Sequence, residues 1–182
     1  MPDKDDTERV IGFFQPIMLV VGFLLLALAA SMGVPAIVDI ASGNPNIWVF
    51  PASAGITMFA GGAMIMATKS PGFNMSIRQT FAMTTLIWVV LTSFGSLPFI
   101  LGELRMSFTD AFFESMSGIT TTGSTVITGL DGLSSGILLW RGILQWLGGL
   151  GFIVMSISIL PLLKIGGMQM FKVEAFDAGE KA

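Results

Sequence analysis

The chain contains no cysteine and no histidine, and only 12% of its 182 residues are charged. Each shortage removes a class of chemistry. Without cysteine there is no disulfide framework, and without either residue type no Cys/His metal centre can be built. Without histidine there is no Ser-His dyad, so Ser117-Gly118 lacks the base that an intramembrane serine protease uses. An aspartyl protease of the membrane needs two facing carboxylates at depth, and the acids here fall at loops and interfaces, apart from one short segment. An enzyme is therefore not expected. The net charge of −3 is small and spread over termini and loops, which speaks against nucleic acid as a partner.

What the chain has in excess is apolar: 53% of its residues are hydrophobic and the mean hydropathy is +0.81. A soluble domain usually carries about twice this charge fraction. The composition predicts an all-α integral membrane protein. Four apolar segments, residues 11–38, 47–67, 80–101 and 137–163, meet the requirement of roughly 20 residues for crossing a bilayer core. The first is too long for a signal-peptide core and reads as an uncleaved membrane helix. The second is rich in glycine and alanine, which let helix backbones approach closely. Between the third and fourth lies residues 108–116, a helical pattern too short to span.

Basic residues orient the spans. With the N-terminus cytoplasmic and residues 108–116 re-entrant, Lys4, Arg9, Lys69, Arg78, Lys164, Lys172 and Lys181 all fall inside, seven of the nine lysines and arginines. Only Arg105 lies outside, while Arg141 sits in the outer part of the fourth span. The positive-inside rule favours this arrangement. A crossing at 108–116 would carry the last three lysines outside.

The chemistry concentrates around the short segment. Ser107 or Thr109 reads as an N-cap with Asp110 in the first turn, Glu114 lies one turn on, and Gly118 fits the C′ position that ends a helix. Its C-terminal dipole end would favour a cation. The polar run Thr120-Thr121-Thr122-Gly123-Ser124 follows, with glycine supplying backbone angles that other residues resist. A helix, short re-entrant helix, glycine-bearing loop and helix make the layout of a cation pore, in which loop carbonyls replace the water around an ion. The plainer readings are an amphipathic helix on the outer leaflet and an ordinary Thr/Gly surface loop. In the fourth span Arg141 and Gln145 are four apart and share a face, which predicts a polar stripe directed into the protein. Arg141 would repel a passing cation unless a partner such as Glu114 neutralised it. Trp48, Trp88, Trp140 and Trp146 include residues suited to membrane interfaces, although Trp88 looks mid-helix.

Phe113-Glu-Ser-Met-Ser-Gly-Ile-Thr-Thr-Thr-Gly-Ser-Thr125, followed by Leu139-Trp-Arg-Gly-Ile-Leu-Gln-Trp-Leu-Gly-Gly-Leu-Gly151, Ile159-Leu-Pro161 and Gly166-Gly-Met-Gln-Met170, resembles the TrkH branch of the Trk/Ktr/HKT potassium transporters. The resemblance covers the chain. It implies a two-helix hairpin within residues 1–78, then one helix–pore helix–helix repeat over residues 79–165. Residues 166–182 form an amphipathic to polar cytoplasmic tail, expected to continue in a longer parent chain. It further implies potassium uptake across the bacterial inner membrane without a cofactor, with K⁺ on the carbonyls of Thr121, Thr122 and Gly123 beside Thr120. Asp110, Glu114, Gly118, Ser124, Arg141 and Gln145 would support that loop. The family's usual partner is a peripheral nucleotide-binding regulator of the TrkA type.

Family members carry four repeats in one chain around a pseudo-fourfold pore, and this sequence has one. The later repeats hold the gating loop and the arginine of the last pore helix. Three readings stay open: one quarter of a filter within a longer transporter, a homotetrameric single-repeat cation channel, and a non-conducting structural or regulatory membrane subunit.

Overall fold

A computed structural model describes residues 4–68, 77–155 and 157. All regular structure among them is helical. In chain order the helices are α1 (Lys4–Ser31), α2 (Gly33–Ala41), α3 (Val49–Ala67), α4 (Ile77–Gly95), α5 (Leu97–Leu101), α6 (Phe108–Ile119) and α7 (Ser135–Met155), with one 3₁₀ turn at Leu130–Gly132. Four spans are long and apolar enough to cross a membrane: Phe13–Ala41, Val49–Ala67, Gln79–Leu101 and Ser135–Met155. This is the expected set, and α6 at 12 residues is too short to join it. The motifs at 159–161 and 166–170, the tail 166–182, Lys69 and the three C-terminal lysines lie outside the described residues.

The first span runs through α1 and α2 with a break at Met32, and α3 folds back against it to complete the hairpin. Gly22 and Gly61 set the approach. A Cβ on Gly61 would lie 2.9 Å from the Gly22 carbonyl oxygen, so neither position admits a larger residue without separating the helices. Buried Ser53 and Thr57 donate to the carbonyls four residues back, each at 2.7 Å, which leaves no polar group bare in this contact.

The third span is interrupted at Ser96, where α4 gives way to α5 and Pro98 removes a backbone donor. Phe99 N–H turns to Ser96 O, and Gly95 O receives Trp140 Nε1–H from α7 at 2.9 Å instead. Trp140 is fully buried and packs edge-on against Phe50. Its N–H satisfies the carbonyl left free where α4 gives way to α5. Trp48 and Trp146 do remain exposed.

The start of α7 is where the hairpin meets the repeat. Asp39 of α2, buried, accepts the Gly136 N–H at 3.0 Å, and Glu103 accepts the Ser134 N–H at 2.9 Å. Two carboxylates therefore answer the unpaired donors and positive dipole end of one helix. Gly136 backs directly onto the Asp39 carboxylate and has no room for a Cβ. We expect Asp39→Ala to lower stability by about 1–3 kcal/mol, the cost of stranding a buried donor. Asp39→Asn, which keeps an acceptor, should recover most of it. Thermal unfolding of the detergent-solubilised protein measures both, and equal melting of all three forms would remove the clamp.

Candidate functional site

Ser107 begins α6 as its N-cap: its hydroxyl accepts the Asp110 N–H at 3.2 Å and donates to Asp110 Oδ2 at 2.8 Å. From there α6 descends between α4 and α7. Glu114 lies level with Arg141, Gly118 against Leu144, and Ile119 against Gly148. Since α7 begins at Ser135, the tip of α6 lies about 20 Å along α7 from its start at the usual helical rise. The loop after α6 therefore turns at membrane depth. A surface helix on the outer leaflet does not fit this placement.

The helix ends differently from the expectation. Gly118 is inside α6, not at C′, because its bare face lies against Leu144, whose Cβ would be 3.1 Å from an added Cβ. The cap is Thr120, and the left-handed C′ position belongs to Thr121 at φ +58°. Thr121 N–H donates to Gly118 O at 2.9 Å and Thr122 N–H to Ser117 O at 3.0 Å, the paired bonds of a Schellman ending. A β-branched residue in that region costs roughly 1–2 kcal/mol. Gly123, at φ +77°, takes the second left-handed position without that cost.

The hydrogen bonds of the four loop residues divide sharply. The N–H groups of Thr120, Thr121, Thr122 and Gly123 all donate back to α6, to Met116 O, Gly118 O and, for the last two, Ser117 O. Among the described residues, no hydrogen bond reaches their four carbonyls. The Thr120 and Thr122 hydroxyls lie 2.9 Å apart, and the Thr120 hydroxyl also donates to Met116 O. All four residues face outward from the chain.

Two residues of α6 hold the chain as it climbs away. Ser117 Oγ donates to Ser124 O at 2.6 Å. One turn earlier, the Glu114 carboxylate receives the Thr125 hydroxyl at 2.9 Å and the Val126 N–H at 3.1 Å on Oε2. Its Oε1 takes Arg141 Nε–H at 2.6 Å. The Glu114 side chain is fully buried and Arg141 is 17% exposed. Arg141 thus has a neutralising partner, and the two charges form one compact unit behind the loop.

Other expected members stand apart. Asp110 is exposed at the start of α6 and does not share the buried environment of Glu114. Gln145 is exposed too, so the inward stripe ends with Arg141. The reason is angular: α6 covers Arg141, Leu144 and Gly148 and leaves the next face of α7 open. Sequence reasoning missed Asp39, Thr125 and the anchoring role of Ser117. Asp39, a lone acid between Val38 and Ile40 at the end of an apolar span, was the available signal.

Gly148 sits so close to the Ile119 carbonyl that no Cβ fits between them, whereas Gly142 has open space. Gly148→Ala should cost about 1–3 kcal/mol or more through displacement of the α6 tip. Gly142→Ala should be neutral or stabilising by up to about 1 kcal/mol. Thermal melting of the two purified variants would show the contrast, and its absence would refute the close approach.

The family model for TrkH, a cation transport protein, matches residues 49–178. The Trk system potassium uptake protein TrkI of Halomonas elongata is 44% identical over 179 residues, 97% of this chain and 36% of that protein. TrkH of Vibrio parahaemolyticus is 41% identical over 166 residues, 88% of this chain and 33% of that protein. The crystal structure of the potassium transporter TrkH from Vibrio parahaemolyticus superposes with a TM-score of 0.79, over 85% of this chain and 33% of that one. The chain spans about a third of the length of the curated relatives it matches. A membrane-spanning fold, a re-entrant helix with its Thr/Gly loop and a family match over most of the residues agree: the chain belongs to the TrkH family of cation transport proteins, which are transporters and not enzymes.

Proposed function

We propose that this chain contributes one quarter of a carbonyl-lined filter for potassium uptake across the bacterial inner membrane. One observation carries the reading. Over Thr120 to Gly123 every backbone donor is bonded into α6 and every carbonyl is left open. At membrane depth, backbone without helical pairing is tolerated where it is buried in protein or lines a water-filled path. Four free acceptors on an outward face are the chemistry that replaces the hydration shell of a bare cation. K⁺ then rests on the carbonyls of Thr121, Thr122 and Gly123, with Thr120 at the base of the row.

The C-terminal end of α6 adds its negative dipole to the same place. Asp110 and Asp131, both exposed, add negative charge on the outer side. The names of the relatives, Trk system potassium uptake proteins, support potassium as the ion. Their threefold greater length supports three further repeats completing the ring. In this reading the N-terminus is cytoplasmic, the hairpin is peripheral to the pore, and the TrkA-type regulator docks from the cytoplasm.

Gly123→Asp tests the reading, because aspartate resists the left-handed backbone and puts a fixed charge among the carbonyls. In a strain that depends on this chain for potassium, growth at low potassium should be lost while growth at high potassium persists. Membrane abundance should be unchanged. Normal growth at low potassium would exclude Thr120 to Gly123 from the ion path.

A further inference from the structure

We infer that Glu114 is a positioning residue for ion discrimination, holding the far end of the filter loop at a fixed distance from the near end. The inference rests on the filter reading above and adds to it a residue that never meets the ion. Ser117 and Glu114 are three residues apart on one face of α6. The returning chain is fastened to them in order: Ser117 holds Thr122, Gly123 and Ser124, and Glu114 holds Thr125 and Val126. The open carbonyls lie at and just before the first fastening. Only the second stops the outgoing chain from swinging and changing their spacing.

Discrimination between potassium and a smaller ion depends on how closely the carbonyls keep their separation and field. A loop free to contract accepts sodium more readily. Glu114 suits the role because three donors converge on its two oxygens from two directions: Arg141 from one, Thr125 and Val126 from the other. Arg141 fixes the carboxylate so that the loop has an immobile anchor. Thr125 passes the constraint on by accepting the Ile127 N–H at 3.0 Å. A glutamine at 114 has one acceptor oxygen, and in place of the other an NH₂ group that can only donate. It can serve Arg141 or the loop, and not both.

The test uses the transporting assembly purified from membranes through a tag on this chain, reconstituted in liposomes, with K⁺ and Na⁺ fluxes measured separately. Glu114→Gln, which leaves the Arg141 charge unneutralised, should lower both cation fluxes and, beyond that, lower the K⁺/Na⁺ ratio by about tenfold, in line with the weakening of one charge-assisted bond. Thr125→Val, which deletes a hydroxyl and leaves Arg141 paired, should shift the ratio in the same direction by less. Arg141→Met should lower it and Arg141→Lys should recover most of the loss. A purely structural role would change both fluxes and the yield together and leave the ratio alone.

An unchanged ratio in Glu114→Gln and Thr125→Val would overturn the inference. Should Glu114→Gln fail to reach the membrane, Thr125→Val decides: a lowered ratio supports the role and an unchanged one refutes it. Gly123→Asp separates the two levels of argument. If it blocks K⁺ flux while Glu114→Gln keeps full discrimination, only the role of Glu114 falls. If it leaves K⁺ flux intact, the filter reading falls with it.

Discussion

Everything around α6 follows from the need to end a helix partway through a membrane without stranding its backbone. A helix terminus leaves unpaired groups that water normally satisfies, and hydrocarbon offers no substitute. Here the Schellman ending at Thr121 and Thr122 turns the donors back onto α6 and leaves the acceptors pointing away. That asymmetry makes the loop an electronegative surface. It also explains why a threonine is held at φ +58°. The paired bonds to Gly118 and Ser117 fix the angle, and the strain is small beside the cost of unpaired donors at that depth.

The remaining packing serves to bring α6 close enough to be held. Gly118 lies against Leu144, Gly148 against the Ile119 carbonyl, and Gly95 against Ser115. Glycine appears on α4, α6 and α7 at the points where they converge, and a side chain at Gly148, which faces the Ile119 backbone, would lift α6 from its seat. Apolar attraction between helices is weak in lipid, where tails are as apolar as leucine. Close contact and a few polar bonds must do the holding instead. Trp140 to Gly95 O, Arg141 to Glu114 and Gly136 to Asp39 do so along α7, tying it to the third span, the re-entrant helix and the hairpin in turn.

Much of this was legible in sequence because membrane constraints are one-dimensional. Span length separated residues 108–116 from the four spans, and the structure has the same four. The Glu114–Arg141 pairing was foreseeable because an arginine beside a cation path needs a counter-charge. What escaped were facts of angle and distance. Gly118 looked like a helix ending because glycine commonly ends helices, yet its lack of a Cβ serves a contact with Leu144. Gln145 shares a helical face with Arg141 only nominally; α6 is narrow enough to cover one and not the other. Asp39 meets Gly136 across 97 positions of chain, a separation no local pattern encodes.

The placement of charge completes the argument. A buried carboxylate next to a row of open carbonyls would be expected to act as an ion ligand, yet both Glu114 oxygens are already engaged by three protein donors. Pairing with Arg141 leaves the unit with no net charge to attract or repel an ion. In the proposed filter the attraction therefore falls to weaker dipoles, four carbonyls and one helix end, which would hold a cation without trapping it. Conduction requires that combination, since a site that binds too firmly does not release. The charged pair holds the loop, and in the proposed filter the neutral backbone is what meets the ion.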